Sequence, residues 1–430
     1  MQHPAWSQSA AIYQLNQRQL TAEGTFRAAE EHLPRIRDLG VEIIWLMPVH
    51  PIGEVNRKGR LGSPYAVRDY LAVNPEFGTI EDLRHFVATA HELGLKVILD
   101  WVANHTAWDN VLVEEHPEWY ARDWKGDVRP TPWWDWDDII DLDYDHPEHG
   151  PALREYMAGA LEFWVRECDV DGYRCDVAGF VPLDFWEHAR ARLDAIKPVF
   201  MLAEWETRDL HNSAFDASYA WSWNEALHHI ASGEVASIEP LRVYYAWNER
   251  SWSHDSMRMT FVSNHDHNHA AGTEYERFGD ALPAVTVLSV VGDGIPLVYT
   301  GQELGNRRRL EFFDKDEVGG DSDQQAGLYR ALFRLKKQQP ALWNGGWGSR
   351  MVRVVNDQED HVLSFVRATD DGASRVFAVF NLSRVRRTVS LGAGPHHGDW
   401  VDAFSGRQLA VSAETQLDLP AWGWRVFTRP

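Results

Sequence analysis

Three carboxylates, Asp176, Glu204 and Asp266, each close a short apolar run, with Arg174, His105 and His265 beside them or ending a similar run. The four segments concerned are KVILDWVANH (Lys96 to His105), DVDGYRCDV (Asp169 to Val177), PVFMLAEW (Pro198 to Trp205) and MTFVSNHD (Met259 to Asp266). Paired carboxyl groups suit glycosidic-bond cleavage. One protonates the leaving oxygen, and the other stabilises or attacks the anomeric carbon. Glu204 follows Met-Leu-Ala and precedes Trp205, and apolar surroundings raise a carboxyl pKa and favour the acid role. Asp176 lies two residues from Arg174 on one strand face, so the cation is expected to keep it ionised, as a nucleophile requires. Asp266 can bind sugar hydroxyls, and His105 and His265 can bond an oxygen that develops charge. Taken singly, each has a plainer reading: an Asp at a strand end is more often a helix cap, and a lone His is more often structural. Their joint occurrence at four strand ends points to acid/base chemistry.

Positioning these residues requires the strand ends to meet. Each apolar run reads as a buried parallel strand, and a (β/α)8 barrel collects the C-terminal ends of all its strands on one face. Strand and helix signals alternate accordingly. Ala10 to Leu15 and Val41 to Pro51 read as strands, with helices over Thr25 to Gly40 and Ile80 to Leu93. The Lys96 strand follows, and the pattern resumes with a helix over Ala152 to Cys168. Strands then follow at Asp171 to Asp176, Val199 to Glu204, Ala217 to Ala220, Met259 to Ser263 and Gly294 to Gly305. Between Thr106 and Gly150 the chain is rich in Trp, Asp, Pro and His without periodicity, and a long irregular insertion is normally functional. Beyond Trp347 short alternating strands and turn clusters take over. The predicted class is α/β: a (β/α)8 TIM barrel over 1–105 and 151–346, an insertion after strand 3 over 106–150, and a C-terminal antiparallel β-sandwich over 347–430.

Composition narrows the partners. A net charge of −22 and a pI near 5.3 exclude a phosphate-backbone binder, which needs a concentrated basic surface. No run approaches the roughly 18 apolar residues of a membrane span. The first residues, MQHPAWSQSAAIYQL, show no basic and apolar leader, so a cytoplasmic location is the default expectation. A secreted or periplasmic protein whose leader was removed would read the same. Cys168 and Cys175 cannot form a disulfide framework, and Cys175 alternates with Arg174 and Asp176 and should face away from them. Of the 21 Trp, a cluster at Trp133, Trp134 and Trp136 could stack on sugar rings, though most are expected to pack the core.

In order and spacing, the four segments resemble the signature regions of glycoside hydrolase family 13, the α-amylase family. DWVANH, GYRCD, the Glu of MLAEW and FVSNHD match those regions, over roughly residues 10 to 345. GVEIIWLMPVHP, SPYAVRDY, DIIDLDYDHP and GIPLVYTGQELG resemble secondary signatures. The resemblance implies a retaining double displacement with Asp176 as nucleophile, Glu204 as general acid/base and Asp266 as the third carboxylate. It implies substrate contacts from Tyr65, which would stack under the sugar, His105, Arg174 and His265, with Asp100 bracing Arg174. The implied substrate is an α-1,4-glucan or a maltooligosaccharide. Oligomeric state is not legible.

Departures from the family pattern keep alternatives open. After Asp176 comes Val-Ala-Gly-Phe, where many α-amylases carry Lys-His three and four residues after the nucleophile. Val177 resembles enzymes acting on α-1,6 bonds, yet members that cleave cyclodextrins also carry it. The absence of a β domain ahead of the barrel weakens a neopullulanase-type reading. An α-glucosidase or transglycosylase on short oligosaccharides therefore stands as an alternative, and a non-catalytic carbohydrate-binding homologue as a distant one. The resemblance also implies a structural Ca2+ held by Asn104, Asp143 and the backbone carbonyl of Phe180, oxygen donors that suit this ion. The other reading of Asn104 is a hydrogen bond that fixes its loop.

Overall fold

The computed structural model describes residues 1–429. Eight short strands close a parallel barrel: β1 (Ile12–Leu15), β2 (Ile43–Leu46), β3 (Lys96–Trp101), β4 (Gly172–Cys175), β5 (Phe200–Ala203), β6 (Ala217–Tyr219), β7 (Met257–Phe261) and β8 (Ile295–Tyr299). β8 returns to β1, with Ile12 opposite Leu297. Parallel strands buried on both faces read as continuous apolar runs, and here the two faces separate cleanly. Ile12, Ile43, Trp45, Ile98, Leu202, Tyr219 and Phe261 fill the barrel interior, whereas Tyr13, Ile44, Val97, Tyr173 and Met201 pack outward with the helices. Period-two alternation thus turns Arg174 inward and Cys175 outward. Cys175 is buried and free, and burial pushes its thiol well above the ordinary range.

Helices cover the barrel between successive strands. Ile80–Glu92 starts in a capping box between Thr79 and Asp82, and Gly150–Cys168 leads into β4. The strand expected over Val41 to Pro51 is confined to Ile43–Leu46 because Pro48, with no N–H, cannot continue the ladder. The insertion holds more regular structure than its sequence foretells. His105–Ala107 pairs antiparallel with Ile139–Asp141, placing His105 opposite Asp141. Three-residue strands are too short to show a period.

The C-terminal part forms a six-stranded antiparallel sheet, in the order Val352–Arg353, Val362–Ala368, Arg375–Asn381, Trp424–Arg429, Gly398–Asp402 and Gln408–Val411. A separate ribbon pairs Arg387–Ser390 with Gln416–Leu419. Alternate residues of one strand divide the two faces. Phe377 and Val379 pack with Val389, Leu417 and Leu419, while Val376, Ala378 and Phe380 belong to the core that the barrel helices build. Among the described residues no helix is long and apolar enough to cross a membrane.

Candidate active site

Arg174 in β4 has no exposed surface and sits among three carboxylates at the barrel mouth. Its Nη1 donates to Asp100 Oδ1 and to Asp176 Oδ1, both at 2.8 Å. Nη2 lies 2.8 Å from Glu204 Oε1, without the alignment of a hydrogen bond. Nε reaches Tyr219 Oη at 3.2 Å. The rings of Trp45, Tyr65 and Tyr219 surround the guanidinium at 5.1, 5.6 and 5.7 Å. One cation therefore serves three buried carboxyl groups.

That imbalance sets the proton affinities. Burial, opposed by Arg174, raises Asp176 to about 6 and Asp100 to about 6. It raises Glu204 well above its ordinary value, aided by the charges of Asp176 and Asp266. Desolvation outweighs the cation at Asp176, yet a value near 6 leaves this carboxylate mostly ionised at neutral pH, the state expected beside Arg174. The ranking survives, since Glu204 holds a proton at neutral pH more readily than Asp176 does. The backbone pulls the other way, since an N–H donated to Glu204 favours its charged form. Val177 N donates to Glu204 Oε2 at 2.8 Å, and Val177 is held at φ +35°, a left-handed conformation that a β-branched residue rarely adopts.

The histidines are neutral hydrogen-bonding groups. Burial lowers both His105 and His265 to about 4. Tyr65 Oη donates to Asp100 Oδ2 at 3.0 Å and lies 2.7 Å from His265 Nε2, while Gln14 Nε2 meets His265 Nδ1 at 2.6 Å. With the Gln14 amide nitrogen facing Nδ1, the ring proton belongs on Nε2, which also lies 3.3 Å from Asp266 Oδ2. His105 Nε2 stands 3.9 Å from Asp176 Oδ2. Asp266 is the most open of the three acids, its side chain 45% exposed. Tyr65, 9% exposed, stacks with His265 at 5.3 Å and Phe312 at 6.1 Å and lines the cleft.

Above this polar floor opens a cleft of about 720 Å³ whose far wall is aromatic. Trp134 stacks on Trp136 at 4.9 Å, its ring lies 6.5 Å from Phe180, and Phe180 packs on Trp205 at 5.2 Å. Gly179 permits this contact, because a Cβ there would lie 2.1 Å from Trp205 Cε2. The place where Lys-His is common in the family is thus filled by the face of an indole.

The family model described as Alpha amylase, catalytic domain, matches residues 11–391. The chain belongs to the α-amylase family. Alpha-amylase MalA of Haloarcula japonica is 28% identical over 96% of this chain and 60% of its own length. The alpha-1,4-glucan:maltose-1-phosphate maltosyltransferase of Myxococcus xanthus is 31% identical over 83% of this chain and 56% of its own. The chain thus spans less than two thirds of these curated relatives. A solved structure, the noncanonic maltogenic alpha-amylase AmyB from Thermotoga neapolitana, superposes with a TM-score of 0.86 at 31% identity, covering 98% of both chains.

In this α-amylase-family chain the side chain of Asn104, expected to help hold calcium, bonds elsewhere than to Asp143. Asn104 Nδ2 faces Asp141 Oδ1 at 3.3 Å and His105 Nδ1 at 3.2 Å, so its carboxylate neighbour is Asp141 rather than Asp143. Among the described residues no three His, Cys, Asp or Glu side chains gather as a metal would need. Asn104, Asp143 and the Phe180 carbonyl are nonetheless oxygen donors of the kind Ca2+ takes and would hold it as a structural ion. Sequence reading missed several residues of the site. Tyr219 and Trp45 enclose Arg174, and Gln14 orients His265. Each faces inward on a barrel strand, so alternation from Arg174 and its neighbours was the available signal. Lys58, paired with Asp138 at 3.1 Å, and Phe312 come from loops that carry no such signal.

Proposed function

We propose that the chain is a retaining glycoside hydrolase that cleaves α-1,4-glucosidic bonds of starch-type glucans or maltooligosaccharides. The shared guanidinium carries this reading. Two carboxylates held against adjacent nitrogens of Arg174 suit the short separation, roughly 5 to 5.5 Å, of a covalent mechanism rather than the wider gap that admits a water. Glu204, protonated, gives its proton to the glycosidic oxygen while Asp176 attacks the anomeric carbon and the leaving sugar departs. Glu204, now a carboxylate, takes a proton from water; the hydroxide attacks the glycosyl–Asp176 ester, and the carboxylate is released with net retention. Asp266, His105 and His265 grip the hydroxyls of the sugar undergoing cleavage, and Tyr65 forms the wall beside it.

The aromatic wall supports a second reading. A sugar stacked on Trp205 or Phe180 could accept the glycosyl unit in place of water, which is transglycosylation. Product analysis of maltoheptaose, pullulan and isomaltose digests, with early anomers followed by NMR, tests both readings. α-Anomers first are expected, and β-anomers first overturn the retaining assignment. Products longer than the substrate would favour the second reading.

A further inference from the structure

A second open groove, of about 890 Å³, runs down the outside of the barrel beside the cleft. Its walls are one face of the helix Trp221–Ser232 (Ser222, Glu225, His229) and one face of the helix Glu239–Ser251 (Glu239, Val243, Trp247). Trp247 is 68% exposed and Val243, one turn before it, 46%. Large apolar side chains held together at a concave surface mark a binding site more often than chance exposure does. The floor is polar. Tyr244 and Arg258 are buried beneath the groove, yet Tyr244 Oη and Arg258 Nε have no hydrogen-bond partner. One residue belongs to both hollows: Glu206 lines the groove and the cleft alike. Its carboxylate accepts from Ser222 N at 3.0 Å and from Ser222 Oγ at 2.6 Å, and it pairs with Arg258.

The geometry points to an accessory site for the same glucan chain, resting on the function proposed above. A pyranose offers an apolar C–H face for the exposed indole of Trp247 and a rim of hydroxyls for the wall carboxylates. Glu225 and Glu239 at the walls disfavour anionic ligands, and continuity with the cleft through Glu206 favours the cleft's own neutral polyol as the occupant. Continuity through Glu206 gives the second hold a purpose. A polymer gripped in the groove meets the cleft at a raised effective concentration, whereas a trisaccharide gains nothing.

The test uses Trp247→Ala and Trp247→Phe in the full chain, with affinity electrophoresis in amylopectin gels and kinetics on amylose and maltotriose. Trp247→Ala should lose gel retardation and raise the KM for amylose about fivefold. Its kcat and KM for maltotriose should stay as in the parent, and Trp247→Phe should retain most of the retardation. Unchanged retardation in Trp247→Ala overturns the site, as does a concentration-dependent dimer that Trp247→Ala dissolves, since a second copy would then be the occupant. Comparing the retardation of Glu204→Gln with that of Glu204→Gln/Trp247→Ala reads the groove's share without catalysis. An enzyme that cleaves neither substrate would therefore sink the hydrolase proposal separately.

Discussion

The two sides of the cleft are built by different physics. Around Asp176, Glu204 and Asp266 most polar groups are tied to one another: Arg174 is shared by three carboxylates, and Tyr65 ties Asp100 to His265. On the opposite side Trp134, Trp136, Phe180 and Trp205 meet through ring faces and edges with few directional bonds. A charged network tolerates one arrangement because each unpaired buried charge is costly. An aromatic wall tolerates many. The chemistry of the bond is therefore set by the rigid side, and the identity of what leaves or accepts by the adaptable one.

Removing either acid should have the largest effect. Asp176→Asn and Glu204→Gln should each lower kcat about a thousandfold or more while oligosaccharide binding, followed by calorimetry, persists. Near-parental turnover in either removes that residue from the mechanism. On the aromatic side, Trp205→Ala should raise the KM for maltoheptaose about tenfold, the loss of about one stacking contact, with kcat little changed. Gly179→Ala should act in the same direction by displacing the indole. The double variant should be no worse than Trp205→Ala alone, because both substitutions strike one contact. A kcat collapse in Trp205→Ala would erase the division between the two sides.

Smaller effects sharpen the polar side. Activity needs Asp176 ionised, so kcat/KM should fall on an acid limb near pH 6; a limb near 4 would contradict the burial argument. Glu204 binds its proton more tightly folded than unfolded, so its charge opposes folding at neutral pH. Glu204→Gln should therefore raise the thermal midpoint at pH 7, and the gain should vanish below about 4.5, where the unfolded side chain is itself protonated. Least of all, EDTA should leave the midpoint unmoved if Asn104 serves only Asp141 and His105; a drop would show that the ion is held.

The polar side was also the legible one. Its residues ride on strands, where apolar runs announce the element and alternation decides which side chains turn inward, so Asp176, Glu204, His265 and Arg174 could be placed from spacing. The barrel was legible for the same reason, down to the three-residue β6. The aromatic wall was legible only in part: Trp134 and Trp136 stood out as a surface for sugar stacking, but the rings they meet did not. Trp134, Phe180 and Trp205 come from three loops, and nothing in a loop sequence reports that Gly179 will bring two of them into contact. The upward shift of Asp176 was not legible, because Arg174 was visible two residues away while the competing claims of Asp100 and Glu204 on the same cation were not.

The C-terminal sheet carries a consequence for how such chains diversify. Phe380, Ala378 and Val376 complete the core beneath the barrel helices, and the buried Arg367 donates to backbone oxygens of Val291, Gly292 and Trp343. A sheet bound this way is no detachable appendage. Cutting near residue 347 would bare a greasy flank and orphan a cluster of carbonyls, so truncated chains should aggregate rather than work as lone barrels. Modules exchanged across this seam would have to travel with it, leaving the loops at the barrel mouth and the outer groove as the surfaces free to vary.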